Sequence, residues 1–167
     1  MKPAKVLIIC GSDSDIEIMS EAAEVFEKFS VKYDLTVSSA HRSPDRTMKL
    51  VKEAESKGYD LIIAGAGFSA HLAGVTAAHT SLPVLGVPID SSPLKGIDSL
   101  LSTVQMPPGV PVGCMGIGKS GAKNAAHLAL RIIGVRDAKT REAVRNHMVQ
   151  MEKDVEAKAC KIKPRKS

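Results

Sequence analysis

The sequence predicts a doubly wound α/β domain, and three observations carry this prediction. Five short apolar runs recur along the 167 residues, with helical stretches between them. Four of these runs are continuous in hydrophobicity rather than alternating, as strands buried on both faces of a parallel sheet require. Each glycine- or serine-rich stretch directly follows one of the runs. We therefore predict a single three-layer domain, with a five-stranded parallel sheet between two layers of helices.

The apolar runs define the predicted strands. They are AKVLIIC (4–10), KYDLTV (32–37), DLIIAGA (60–66), PVLGVPI (83–89) and VPVGCMG (110–116). The second run is the most mixed in polarity, which favours an edge position. The alternation of strands and helices favours the flavodoxin-like strand order, in which ligands bind at the carboxyl ends of the strands.

The helices between the strands have recognisable beginnings and ends. Ser14 and Glu17 have the spacing of a capping box at the start of the first helix. Ser43 can cap the second helix with Pro44 at its first position, and Gly58 ends it. Further helices are predicted at about 70–81, 94–102 and 118–133.

A final charged helix over 137–160 has no strand after it. Its apolar residues along one side are Ala143, Val144, Met148, Met151 and Val155. Such a helix packs either on a neighbouring subunit or on its own domain, and the pattern leaves both open. We assign residues 1–160 to the single domain and residues 161–167 to a disordered basic tail.

Composition argues against a nucleic-acid or membrane partner. The net charge of +5 comes from five basic residues among the last ten, so the body of the chain is neutral. Aromatic residues make up only 3% of the chain, with no Trp, which argues against base-stacking platforms. Three separated cysteines, and the lack of a signal peptide or a bilayer-long apolar run, predict a cytoplasmic protein with reduced thiols.

Small-residue loops follow four of the predicted strands, and we expect them to meet in one crevice. They are GSDSD (11–15), SSAHR (38–42), GAGFSAHL (65–72) and GIGKSG (116–121). Loops of Gly and Ser let backbone N–H groups approach an anion, and the helix that follows adds a favourable dipole. A phosphorylated small molecule is therefore the predicted ligand.

Few side chains in these loops can perform chemistry. His41 could exchange a proton near neutral pH, Arg42 could anchor a phosphate, and Asp15 could accept hydrogen bonds from ribose hydroxyls. Each also has a structural interpretation: a surface histidine, an arginine paired with an acid, an aspartate capping a helix. Convergence at one sheet edge favours function. No His, Cys and Asp cluster has metal-ligand spacing, so we predict no metal site.

Residues 113–120 match the P-loop pattern G-x-x-x-x-G-K-[ST] letter for letter. A P-loop needs its strand early in the sheet, with a later strand ending in Asp to hold magnesium. Here the motif follows the last strand. We interpret it as a tight strand-to-helix turn near the crevice.

The loops resemble one family in order and spacing. GSDSD, SAHRSP, AGAGFSAHLAG, PVLGVPI, STVQMPPGVPVG and GKSGA-x-NAA are similar to the class I N5-carboxyaminoimidazole ribonucleotide mutases of purine biosynthesis, over about residues 5–133. The resemblance implies a flavodoxin-like, octameric, cytoplasmic enzyme without metal or organic cofactor. Its substrate would be a small ribonucleotide, whose carboxyl group moves from the exocyclic nitrogen to carbon 4 of the imidazole ring.

Carried over by position, the resemblance assigns roles to eleven residues. His41 would be the general acid and base, and Ser12, Asp15 and Arg42 would bind substrate. Ser14 and Ser39 would add phosphate or ribose contacts. The carboxyl pocket would be lined by Gly65, Ala66, Gly67, His71 and Leu72. Phe68 stands where glycine is common in the family, and a positive φ there would strain a phenylalanine.

Two other functions remain open. The related direct carboxylase would use free carbon dioxide and aminoimidazole ribonucleotide, and only the AHLAG stretch favours the mutase over it. A non-catalytic phosphate- or nucleotide-binding module of the same fold would need no proton transfer by His41.

Overall fold

A five-stranded, all-parallel sheet organises the structure, a computed structural model that describes residues 3–161. The strands are β1 (Lys5–Cys10), β2 (Lys32–Val37), β3 (Leu61–Ala66), β4 (Val84–Pro88) and β5 (Gly113–Cys114). Their order across the sheet is β2-β1-β3-β4-β5. The order confirms the predicted flavodoxin-like fold and the edge position of the second run.

Six helices and one 3-10 turn connect and follow the strands. They are the turn Asp13–Asp15, α1 (Ile16–Lys28), α2 (Pro44–Ala54), α3 (Leu72–Ala77), α4 (Ile97–Val104), α5 (Gly118–Arg136) and α6 (Ala138–Ala159). Of the described residues, no helix combines the length and apolar character needed to cross a bilayer.

Three elements differ in extent from the prediction. The third helix is shorter, and the fourth begins at Ile97 because Lys95 and Gly96 have φ values of 51° and 84°, which no right-handed helix contains. The fifth strand keeps only two of its seven predicted residues. Pro111 lies within the predicted run and has no N–H to donate to the ladder.

The predicted ends of α2 are confirmed. Ser43 is the N-cap and Pro44 the first helical residue. Gly58, with a φ of 77°, completes a Schellman motif. In it the Tyr59 N–H donates to the Ala54 carbonyl at 3.1 Å and the Gly58 N–H donates to the Glu55 carbonyl at 2.9 Å.

The predicted capping box between Ser14 and Glu17 is wrong. The chain forms the 3-10 turn first, and the Ser12 N–H donates to Oδ2 of Asp15 at 3.0 Å. Glu17 instead forms an ion pair with Lys119 at 2.6 Å. The helix therefore begins later than the capping-box pattern indicates, because Ser14 and Asp15 belong to the turn.

Helices cover both faces of the sheet. On one face Leu7, Ile9, Ile62, Ala64 and Val84 form a cluster with apolar residues of α2 and α3. On the other face Met19 of α1 packs so closely on Gly65 that a Cβ at residue 65 would overlap the methionine side chain. Both layers place their helix starts beside the carboxyl ends of the strands.

The described residues form two compact units, which divide between residues 129 and 130 inside α5. Within the second unit, the Arg141 guanidinium donates to the carbonyls of Gly134 at 2.9 Å and Val135 at 3.2 Å. The Asp137 carboxylate caps α6 by accepting the Lys139 N–H at 3.0 Å. The assignment of 1–160 to one domain stays a prediction, and the predicted tail lies outside the described residues except for Lys161.

Candidate active site

A cavity of about 400 Å³ lies at the carboxyl ends of the strands. It lies between the ends of β1 and β3. From β1 the chain continues to β2 on one side, and from β3 it continues to β4 on the other, so this is the switch point of the sheet and the usual ligand site of this fold. Four loops contribute to it. The lining residues are Gly11, Ser12, Ser14, Asp15, Ser39, Ala40, His41, Arg42, Ala66, Gly67, Phe68, Ser69, Ala70, His71, Leu72 and Ser91.

The structure brings together ten of the eleven site residues predicted from the sequence, all except Gly65. Gly65 is buried at the end of β3, where its carbonyl accepts the Gly11 N–H at 2.9 Å. Gly65 therefore holds the loop after β1 in place without lining the cavity itself. The roles of the ten lining residues stay predictions at this point.

The loop after β2 is a hydrogen-bonded scaffold that presents His41 and Arg42. The Ser39 N–H donates to Ser43 Oγ at 3.0 Å, and that hydroxyl donates to the Ser39 carbonyl at 3.1 Å. Ser39 Oγ accepts the Arg42 N–H at 3.1 Å. Because these serines satisfy the polar groups of the turn locally, the His41 and Arg42 side chains are left exposed to the cavity.

Two histidines meet across the cavity. His41 Nε2 lies 2.6 Å from His71 Nδ1, with the rings nearly perpendicular at 80°. One nitrogen of this hydrogen bond must carry a proton and the other must accept it. The pair therefore places two groups that can donate or accept a proton next to space for a ligand.

Asp15 is the buried acid of the site, with 4% of its surface exposed. Burial raises the pKa of its carboxyl group, against the lowering effect of hydrogen bonds from the Ser12 N–H and the Ser14 hydroxyl. By contrast, the Ser12 hydroxyl and nearby backbone N–H groups lower the pKa of the neighbouring exposed Asp13. In this loop, burial disfavours the ionised form of Asp15, whereas hydrogen bonds favour the ionised form of Asp13.

Arg42 supplies the positive charge of the cavity lining. Its guanidinium donates to the Gly11 carbonyl at 3.3 Å, which links the loop after β2 to the loop after β1. The bond engages a single donor of the five on the guanidinium. The remaining donors can bind an anion such as a phosphate.

The sequence analysis did not predict Ser91 as a lining residue, and it expected the loop after β5 to reach the cavity, which it does not. Ser91 follows β4, and a Cβ on Gly67 would overlap its hydroxyl, so the loops after β3 and β4 touch. The rule that small residues follow strand ends also covers residues 90–93 and could have found it. The P-loop-like turn contributes no residue to the described lining, because β5 is separated from β3 by β4 and Lys119 pairs with Glu17.

Within residues 3–161, no three His, Cys, Asp or Glu side chains are grouped so as to hold a metal ion. The functional groups of the cavity are instead one imidazole pair, one guanidinium, one buried carboxylate and several hydroxyls. Such a set has the chemistry to bind a phosphorylated, hydroxylated ligand and to exchange a proton with it.

The fold and the cavity define a flavodoxin-like α/β protein with a small-molecule site at its switch point. The chain belongs to the AIR carboxylase family, whose model matches residues 5–154.

The chain is similar to several proteins of known function. The N5-carboxyaminoimidazole ribonucleotide mutase of Pyrococcus horikoshii is 51% identical over 164 residues, which cover 97% of this chain and 92% of the relative. The mutase of Escherichia coli K12 is 53% identical over 135 residues, covering 81% of this chain and 80% of the relative. The crystal structure of Treponema denticola PurE superposes with a TM-score of 0.88 at 27% identity, covering 98% of this chain and 100% of that one.

We expect Asp15→Asn to raise the melting temperature at pH 7 while weakening ribonucleotide binding. Because burial raises the pKa of Asp15, its ionised form opposes folding at neutral pH. The expected gain is about 2–4 °C, the shift that about 1 kcal/mol produces in a chain of this size. The gain should shrink as the pH falls through the raised pKa of the folded state toward about 3.9, where the unfolded carboxyl also takes up its proton. Thermal unfolding between pH 4 and pH 8 measures this.

Asp13→Asn is the matched control. The pKa of Asp13 is lowered, so its charge favours folding above its unfolded pKa, and the amide should leave the melting temperature equal or slightly lower at pH 7. A fall with Asp15→Asn as large as or larger than that with Asp13→Asn would contradict the prediction.

Proposed function

We propose that this protein is an N5-carboxyaminoimidazole ribonucleotide mutase, an isomerase of purine (IMP) biosynthesis that forms 4-carboxy-5-aminoimidazole ribonucleotide. The observation that carries the proposal is the His41–His71 pair at the cavity, in a chain about half identical to mutases over most of its length. The pair provides the one movable proton that the reaction needs.

The cavity suits each part of this substrate. The guanidinium of Arg42 and the hydroxyls of Ser12, Ser14 and Ser39 would bind the phosphate and ribose, and the Asp15 carboxylate would accept ribose hydroxyl protons. The substrate carboxyl group would lie against Ala66, Gly67 and Leu72, beside His71. These small and apolar residues leave room for a flat ring and for one carbon dioxide molecule.

The proposed reaction needs one proton carried between two substrate atoms. The bond from the exocyclic nitrogen to the carboxyl carbon breaks, its electron pair stays on nitrogen, and protonated His41 supplies the proton that this nitrogen takes up. Carbon 4 of the electron-rich ring then attacks the carbon dioxide. Neutral His41 removes the proton from carbon 4 and returns to its starting state. His71 would accept a hydrogen bond from protonated His41 and so hold that ring in position for the first transfer.

His41→Asn should lower turnover by at least about 100-fold and leave ribonucleotide binding within a fewfold of wild type, as loss of a general acid–base group predicts. Asparagine keeps a polar group of similar reach but cannot accept and return a proton. Ultraviolet detection of the conversion, with calorimetric binding of the ribonucleotide, measures both. His79→Asn is the control, because His79 follows the end of α3, lies outside the cavity lining and bonds the Val75 carbonyl. Unchanged turnover in His41→Asn would show that His41 is not the acid–base group, whereas ribonucleotide binding without any turnover in wild type would favour the non-catalytic binding module.

Direct carboxylation is the second candidate, since the matching family model describes AIR carboxylase. The two reactions differ in the source of the carboxyl carbon. With unlabelled carbamate substrate in a buffer equilibrated with ¹³C-bicarbonate, the mutase should form product nearly free of label at early times. Label acquired from solution in proportion to turnover would replace the mutase proposal with the carboxylase.

We propose further that the protein is a cytoplasmic homo-octamer, and the support for assembly is the inverted burial of α4. This helix exposes Ile97, Leu101 and Val104, each at least half exposed, at the spacing of one helix face. It buries Ser99 and Thr103 instead. A surface stripe of three large apolar residues is typical of a subunit interface. Residues 148–161 of α6 and beyond are also exposed throughout, including Met148, Met151 and Val155.

Leu101→Glu should break the assembly into smaller species. The substitution places a charge in the centre of the apolar stripe, where a neighbouring copy would have to desolvate it. Light scattering should give about 142 kDa for eight wild-type copies of 17.7 kDa each, and a lower mass for the variant. Ser56→Glu adds the same charge at an exposed residue after α2, away from the α4 stripe, and should keep the wild-type mass. An unchanged mass in Leu101→Glu would exclude α4 from the interface.

A further inference from the structure

Phe68 has a backbone conformation that glycine adopts far more readily. Its φ is 52°, in the left-handed region that bulky residues avoid. The turn that contains it is closed by the Ala70 N–H, which donates to the Gly67 carbonyl at 3.1 Å. The close approach of Gly67 to Ser91 fixes the start of the turn. The phenylalanine is therefore held in a strained position rather than relaxed by loop movement.

The Phe68 side chain is also poorly buried. It is 58% exposed and lies at the edge of the cavity, where it is the one Phe, Tyr or Trp among the described lining residues. The other large apolar side chain of the lining, Leu72, is 2% exposed and already packed in the core. A strained backbone and an exposed ring both disfavour Phe at this residue in the empty protein, which points to a function when a ligand is present.

The proposed reaction supplies a reason for an apolar cover. Its intermediate, carbon dioxide, has no net charge and no hydrogen to donate, and its oxygens are weak hydrogen-bond acceptors, so Arg42, Asp15 and the serines can bind it only weakly. Only a steric barrier can keep such a molecule beside the ring until carbon 4 attacks it. The polar groups of the lining cannot provide that barrier, and a phenyl ring packed on the bound heterocycle can.

We propose that Phe68 packs on the bound aminoimidazole ring and closes the cavity, so that the released carbon dioxide is retained for transfer to carbon 4. The inference rests on the proposed mutase function and deepens it. Phe68 would decide how often the intermediate is captured and how often it escapes. On escape, the carbamate has lost carbon dioxide and its nitrogen has gained one proton, which leaves free aminoimidazole ribonucleotide.

The test compares wild type, Phe68→Leu and Phe68→Gly in the ¹³C-bicarbonate assay at early times. In Phe68→Gly, we expect label per product molecule, and aminoimidazole ribonucleotide per substrate consumed, to rise about two- to tenfold, in line with what one aromatic contact contributes. Decarboxylation in protein-free buffer is subtracted. Phe68→Leu, which keeps apolar bulk, should lie between the two. Phe68→Gly should melt at the same or a higher temperature, because it relieves strain, so unfolding would not explain the leak.

A second measurement tests contact with the ligand without requiring turnover. The chain contains two Tyr and no Trp, so Phe68→Trp introduces a single Trp, which can be excited at wavelengths where Tyr does not absorb. Addition of aminoimidazole ribonucleotide should shift its emission to shorter wavelength. Val135→Trp is the control, since Val135 is 80% exposed and lies outside the cavity lining, and its emission should not change.

The possible outcomes distinguish a failure of the Phe68 inference from a failure of the proposed mutase function. Conversion by wild type with unchanged label and unchanged escape in Phe68→Gly would overturn the inference alone. An emission shift absent from Phe68→Trp at saturating ribonucleotide would also overturn it. Absence of conversion by wild type would overturn the mutase function and carbon dioxide retention together.

Discussion

The site depends on how β2 and β3 flank β1. His41 follows β2 and His71 follows β3, and neighbouring strands lie about 4.8 Å apart, so the two strand ends are about 9–10 Å from each other. The imidazoles can meet only by leaning toward each other across the end of β1. Gly11, the first residue after β1, lies between them, and its N–H extends the pairing with Gly65. A Cβ at residue 11 would lie 3.3 Å from Cβ of Ala66 and 3.6 Å from Oδ2 of Asp15, so a larger side chain would press on the cavity lining.

The same geometry explains which parts of the site could be read from the sequence. Strand order follows from continuous apolar runs alternating with helices, and parallel strands bring their carboxyl ends to one edge. The convergence of residues 11–15, 38–42 and 65–72 was therefore predictable. The hydrogen bond between His41 and His71 was not, because it depends on side-chain direction across a third strand. Gly65 was misplaced for a similar reason: its sequence neighbours Ala66 and Gly67 face the cavity, whereas its own Cα faces Met19.

The fourth helix shows where hydrophobic pattern fails as a guide to burial. Apolar Ile97, Leu101 and Val104 would be assigned to the core, yet the structure buries Ser99 and Thr103. The cause is the close approach of α4 to the sheet: Thr103 lies against Gly86, where even a Cβ would not fit. The buried Ser99 hydroxyl donates to the Ile89 carbonyl at 2.9 Å and is satisfied there. Small residues face the sheet because space is limited, and the large apolar residues are left exposed, where the proposed partner copy would cover them. Single-chain reasoning from pattern has no access to that partner.

The polar and the apolar residues of the cavity have different proposed roles. Arg42, the serines and Asp15 can hold the parts of a ribonucleotide that remain unchanged, since phosphate and ribose carry charges and hydroxyls throughout the proposed reaction. The part that changes passes through a neutral molecule, which those groups cannot hold. Burial raises the pKa of Asp15, so its ionised form lowers stability at the proposed ribose contact, and the positive φ of Phe68 lowers stability at the proposed cover of the ring. Both costs fall on residues of the cavity lining, whereas the supporting turn of α2 and its Schellman motif have ordinary hydrogen-bonded geometry. This distribution is expected if the scaffold supplies the stability that the site gives up.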